Sequence, residues 1–166
     1  MLSRRSLLMA AAPLALALGG VGLFHRPKAA MLAAGNFPVK HTAAEWRKLL
    51  TSHQYSILRE AGTEYPFTSP LLDEHRHGIF QCAGCAHPLF SSETKYDSGT
   101  GWPSFWAPLK DSIGTERNDS FGFSRIAVHC ATCGGHLGHV FEDGPKPTGL
   151  RYCMNGVALK FEPVGA

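Results

Sequence analysis

Cys82-Ala83-Gly84-Cys85 and Cys130-Ala131-Thr132-Cys133 repeat one four-residue pattern, and their reading decides what kind of fold this chain forms. A two-residue spacer lets a tight turn aim both sulfurs of a pair at one point, so two pairs suit one tetrahedral zinc ion. Ordinary disulfides and a redox-active dithiol compete with that reading. A disulfide across so short a spacer is strained, and two such pairs together favour metal. With Cys82, Cys85, Cys130 and Cys133 all bound, no coordination position stays open, so the zinc is structural and does no Lewis-acid work. The fifth cysteine, Cys153 in Arg151-Tyr152-Cys153-Met154-Asn155, is left free for chemistry.

Outward from the two pairs, the texture is that of short strands. Apolar runs broken by glycine, proline and aspartate predict strands at Ile79-Phe80-Gln81, from Phe121 to Val128, at His139-Val140-Phe141 and from Val157 to Phe161. Upstream, Thr42 with Glu45 three residues on forms a capping box for a short helix carrying Trp46, Leu49 and Leu50 on one face. A second helix is predicted near Gln54 to Ala61, ending at Gly62. The fold class that follows is mainly β: antiparallel β-sheets with short N-terminal helices and a four-cysteine zinc site. At 166 residues this is one domain, over 41–166, plus short appendages.

Those appendages are a leader over 1–30 and a linker over 31–40, where Gly35, Asn36 and Pro38 interrupt any periodicity. Arg4 and Arg5 stand just before an apolar run from Leu7 to about Phe24, the pattern of a twin-arginine export signal. The expected location is therefore exported: periplasmic, or membrane-anchored facing the periplasm if the leader is retained. The first 40 residues hold five of the 16 basic residues and none of the 13 acidic ones, so the remainder carries about −2. The basic footprint that nucleic acid requires is missing where the zinc ligands are, and no nucleic-acid partner is expected.

Around the leftover thiol three clusters matter. Arg151 lies two residues before Cys153 and offers a positive charge to a thiolate. His136-Leu137-Gly138-His139, among Gly134, Gly135 and Gly138, suggests a tight turn presenting both rings to one space. Ser98-Gly99-Thr100-Gly101-Trp102-Pro103-Ser104-Phe105-Trp106 joins flexible glycines to aromatic faces, as a pocket for an apolar or polarisable group does. Taken singly, Cys153 is a buried small hydrophobe, the histidines a packed pair and the aromatics core filling; the three together argue for a site.

These blocks resemble the B-type methionine sulfoxide reductases, which reduce the R epimer of methionine sulfoxide. The resemblance runs from Glu45 to Phe161 and is strongest at Ser98 to Phe105, at His136 to Phe141 with Asp143-Gly144-Pro145, and from Pro147 to Asn155. It implies that fold, oxidised proteins or peptides as substrate, and Cys153 as the nucleophile passing through a sulfenic acid. It further implies His139 as the acid, with His136 and Asn155 binding and polarising the sulfoxide oxygen. Trp102 becomes the wall against the S-methyl group, with Phe141 and Arg151 nearby. Two departures stand out. Thr100 occupies the place of a second, resolving cysteine in some members, which implies a one-cysteine cycle regenerated directly by a thioredoxin-like protein or a small thiol. Ala127 stands where many members carry a glutamate.

The rival reading keeps the zinc and drops the chemistry, as a zinc-stabilised binding module of related fold. Such a module has no need of Cys153, His139 and Trp102 together. A cysteine hydrolase is the remaining alternative.

Overall fold

The computed structural model describes residues 35–118 and 125–165. The leader over 1–30, residues 31–34 of the linker and residues 121–124 of the strand expected from Phe121 all lie outside the described residues.

Helix α1 (Ala43–Leu49) opens on the expected capping box: Thr42 Oγ1 accepts from the Glu45 amide at 3.2 Å, and Glu45 Oε2 accepts from the Thr42 amide at 2.7 Å. The buried face is narrower than expected. Trp46 and Leu50 enter the core, whereas Leu49 is 59% exposed, since consecutive residues on a helix point about 100° apart. Helix α2 (Ser52–Glu60) begins earlier than expected, because Gln54 is the far end of a second capping box with Thr51. It closes on Ala61 in the left-handed region, with the Gly62 amide donating to the Ser56 carbonyl.

Nine strands follow among the described residues: β1 (Gly78–Cys82), β2 (Pro88–Ser91), β3 (Lys95–Tyr96), β4 (Ser104–Phe105), β5 (Ile113–Asn118), β6 (Arg125–Cys130), β7 (His136–Phe141), β8 (Arg151–Met154) and β9 (Leu159–Pro163). They pair as two antiparallel sheets, β2-β1-β9 and β3-β4-β8-β7-β6-β5. The core lies between them. Phe80 of β1 and Phe90 of β2 meet Phe105 of β4 at ring separations of 4.9 Å and 4.4 Å, and all three rings are fully buried. Ile57 and Leu58 of α2 add to the same core, with Val128, Leu137 and Met154 from the large sheet.

Residues 35–40 lie against the second cysteine pair. The Val39 amide donates to the Thr132 carbonyl, and the Phe37 ring sits over Gly134 and edge-on to His129.

Candidate functional site

The two cysteine pairs fold as near-copies. Cys82 and Cys130 close a strand, and each carbonyl accepts from the amide four residues on, at Ala86 and Gly134. Both of those residues lie in the left-handed region, at φ 57° and 67°. Cys82 and Cys130 in turn donate their own amides to the carbonyls of His87 and Gly135. Glycine adopts that backbone freely, while Ala86 does so at a cost, held by the turn around it.

The result is four sulfurs within 4.8 Å of one another. Cys82 and Cys133 stand 3.7 Å apart, Cys85 and Cys130 3.6 Å. Zinc–sulfur bonds of about 2.3 Å in a tetrahedron put sulfurs about 3.8 Å apart, so the quartet fits a zinc ion. Its protonation chemistry agrees. Hydrogen bonding among the crowded sulfurs pushes the Cys82 and Cys130 thiols up and the Cys85 and Cys133 thiols down, so the quartet holds protons at some sulfurs and thiolate at others until a cation joins them. Arg59 supports the site from outside, donating to Cys133 Sγ at 3.1 Å and to its carbonyl at 2.9 Å while stacking on Trp46. The zinc is structural: a closed set of four thiolates keeps it out of the reaction. His87 and His129 are not among the ligands.

The fifth cysteine lies elsewhere, on β8 in the middle of the large sheet. Across the strands one continuous row of partners forms: Ser104 of β4, Cys153 of β8, His139 of β7, Ala127 of β6 and Glu116 of β5. Directly paired residues in antiparallel strands point to the same face, so Cys153 sits between Ser104 and His139 on one surface. Over it folds the glycine-rich segment. Thr100 Oγ1 lies 3.9 Å from Cys153 Sγ, and a hydroxyl chain joins Thr100 to Ser98 at 2.8 Å and Ser98 to Ser104 at 2.7 Å. Cys153 is half-buried. Burial pushes its thiol up, while hydrogen bonds from Thr100, Arg151 and Ser104 and the Arg151 charge pull back.

The histidine pair is a correction to the sequence reading. His136 and His139 do not form a turn; they lie on β7, where residues three apart ordinarily face opposite sides. A bulge opposite Val128 and His129 inserts one extra residue and restores the shared face. The rings then stand edge to face at 5.3 Å. Gly138 permits the close approach of β8, for a Cβ there would collide with the Cys153 carbonyl oxygen. Burial and the Arg125 charge both hold the His139 imidazole below its ordinary range.

Arg151 is tied to Asp143 by two parallel bonds of 2.8 Å and 2.7 Å and covers the Phe141 ring at 4.4 Å. Trp102 Nε1 donates to the Glu64 carbonyl at 3.2 Å. Asn155 is buried, its Oδ1 accepting from the Glu64 amide at 3.0 Å and its Nδ2 donating to the Leu137 carbonyl at 3.0 Å.

Glu64 is the residue that sequence reasoning missed. Its carboxylate is buried and accepts from the amides of Gly156 and, at 3.0 Å, Val157, at the start of the 3₁₀ turn that follows Asn155. One residue thus anchors Trp102, Asn155 and the chain leaving Cys153. A lone acid before Tyr65-Pro66-Phe67 carries no local signal, because its partners lie 38 to 93 residues away.

A family model described as the SelR domain matches residues 50–163. A peptide methionine sulfoxide reductase MsrB of Agrobacterium fabrum (strain C58) is 55% identical over 127 residues, covering 76% of this chain and 94% of that protein. The protein of the same name in Leptospira interrogans serogroup Icterohaemorrhagiae serovar Lai is 52% identical over 128 residues, 76% of this chain and 98% of that one. That of Methanosarcina barkeri is 50% identical over 125 residues, with 75% and 88% covered. The crystal structure of a Mis18 Yippee-like domain is a looser likeness, with TM-score 0.45 and 17% identity over 55% of this chain and all of that one.

Proposed function

The chain belongs to the B-type methionine sulfoxide reductases, and from that premise we propose how its own residues divide the work. The enzyme reduces methionine-R-sulfoxide in oxidised proteins or peptides to methionine and is returned to its starting state by a thiol reductant.

Cys153 is the nucleophile. Its thiolate attacks the sulfoxide sulfur while a proton reaches the sulfoxide oxygen, so that oxygen does not leave as a bare oxide. His139 supplies that proton, being Cys153's direct cross-strand partner and chemically suited to hold one. His136, beside His139, and Asn155 orient the oxygen, and Trp102 faces the S-methyl group, with Phe141 and the Arg151–Asp143 pair closing the side. The oxygen passes to Cys153: the methionine sulfur gains two electrons, the cysteine sulfur loses two, and a sulfenic acid results. An external thiol then condenses with it, releasing water and forming a mixed disulfide. A second thiol attacks that bond and frees Cys153. Thr100, at 3.9 Å from Cys153 Sγ, and the mutual packing of the other four cysteines support this one-cysteine cycle. The reductant is a thioredoxin-like protein or a small thiol.

The observation that carries this reading is the row Ser104–Cys153–His139, a thiol and an imidazole on one sheet face beneath the Thr100–Trp102 segment. Residues 1–30 complete the proposal as an export signal or anchor placing the domain outside the cytoplasm. The test is turnover of peptides carrying the R or the S sulfoxide, with dithiothreitol as reductant, for the wild type and Cys153→Ser. Reduction of the R form alone, abolished in the variant, is expected. Turnover by Cys153→Ser, or none by zinc-loaded wild type, overturns it.

A further inference from the structure

Two large aromatic residues stand out of the surface beside this site. Tyr65 is 83% exposed and Phe67 is 70% exposed. They belong to a short loop held at both ends by buried groups, Glu64 and Ser69. Inside it the Thr68 hydroxyl donates to the Tyr65 carbonyl at 2.8 Å. The loop is pressed against the segment that roofs Cys153. The Phe67 amide donates to the Gly101 carbonyl at 2.7 Å, and a Cβ at Gly101 would stand 2.7 Å from Pro66 and 2.9 Å from the Phe67 ring. Gly101 lies between Thr100, which touches the Cys153 sulfur, and Trp102.

Phe67 adopts φ 62°, a left-handed backbone that a bulky residue rarely takes. Such strain persists where the surroundings impose it, and it gathers at functional sites. Here it displays an aromatic ring to solvent, the opposite of what folding alone rewards.

Resting on the reductase reading above, we propose that Tyr65 and Phe67 form a docking platform for the apolar residues that flank an oxidised methionine in an unfolded polypeptide. The loop adjoins the Thr100–Gly101 segment over Cys153, so a chain that delivers its sulfoxide to Cys153 can lay its neighbouring residues across the two rings. From Tyr65 to Pro70 there is no charged side chain, so apolar flanks are favoured over acidic or basic ones. Methionine and its apolar neighbours are buried together in folded proteins, and only an unfolded segment offers all of them at once.

The experiment compares two R-sulfoxide substrates, a pentapeptide with leucine and valine flanks and the N-acetyl methyl amide of the single residue. Dithiothreitol serves as reductant, so no protein reductant competes for the surface. The ratio of their kcat/KM values is measured for wild type, Tyr65→Ala/Phe67→Ala, Phe67→Gly and Phe67→Tyr. Phe67→Gly removes the ring while relieving the left-handed backbone, which guards against a folding defect. The ratio is expected to favour the peptide in wild type and to fall about tenfold in the double variant through KM, in line with losing an exposed aromatic anchor. Phe67→Gly falls in the same direction, and Phe67→Tyr restores the wild-type ratio. A ratio unmoved by these changes, or equal losses on both substrates, overturns the platform while leaving the reductase intact. A wild type that reduces neither R substrate overturns the reductase reading itself.

Discussion

Five cysteines in one chain fall into two populations with opposite chemistry. The four at the knuckles touch one another, each within reach of its partners, and their shared crowding makes them ligands for one cation. Cys153 stands alone on a central strand, with a hydroxyl above it and histidine and serine on either side. The residue type is the same; the neighbours decide. A thiol among thiols binds metal and folds the protein. A thiol among hydroxyls, a guanidinium and an imidazole is placed to react.

The sharpest way to break that contrast is to remove one member of each population. Cys133→Ser is expected to lose zinc and with it the folded β domain, because metal binding and folding are one equilibrium at such a site. Zinc content and a thermal melt measure this. Cys153→Ser keeps zinc and melting temperature and loses turnover by about a thousandfold or more, as removal of a nucleophile does. A Cys133→Ser protein that stays folded without metal would erase the distinction.

Glu64 tests how rigidly the reacting half is held. Glu64→Ala leaves the buried Gly156 amide without an acceptor, at about 1–3 kcal/mol, and the part-buried Val157 amide with water as its alternative. The same turn follows Asn155, so kcat/KM for the R peptide is expected to fall about tenfold or more. Steady-state kinetics and the melt together check it. A stable variant with undiminished kcat/KM would show that the turn is held by other means.

A smaller effect concerns protons. Burial raises the Cys153 thiol, while burial and Arg125 lower the His139 imidazole, so the thiolate–imidazolium pair that the proposed reaction uses is the minor form. As pH rises through the lowered His139 value, the doubly protonated form disappears and the fraction of the reacting pair climbs. It stays level until the raised Cys153 value, above which imidazolium is lost against a standing thiolate and the fraction falls. The pH profile of kcat/KM is therefore a bell whose acid limb belongs to His139 and whose alkaline limb belongs to Cys153. Ala127 is His139's cross-strand partner, so Ala127→Glu places a carboxylate beside the ring. The acid limb is expected to move upward and the plateau to rise a fewfold, on the order of one pKa unit's worth at most. A profile that does not move on this substitution would remove His139 from the assignment.

Much of the metal half was legible in the sequence. Its signal is local, four cysteines at fixed short spacing, and the turns that aim them need only adjacent residues. The Thr42–Glu45 box was legible for the same reason. For the Cys153 half, the sequence offered a cluster of candidates, the lone thiol, two histidines and a glycine–aromatic run, whose separate roles came only from resemblance to a family, and its architecture was not legible. Strand β8 carries Arg151, Tyr152, Cys153 and Met154 with no alternation of polarity, because its residues are at least partly buried on both sides, and β5 is too polar to announce itself. The bulge that turns His136 and His139 to one face depends on pairing with β6, which no window of β7 contains. Glu64 reaches across 92 residues to Gly156, and nothing near it in sequence points there. Local chemistry could be seen; cross-strand geometry could not.

The central claim, that one cysteine reacts while four hold metal, is tested most directly by mass spectrometry of zinc-loaded wild-type protein after one equivalent of R-sulfoxide peptide with no reductant. The expected result is a gain of one oxygen atom located at Cys153, with zinc still bound and no disulfide formed. A disulfide joining Cys153 to any of Cys82, Cys85, Cys130 or Cys133, with zinc released, would contradict it.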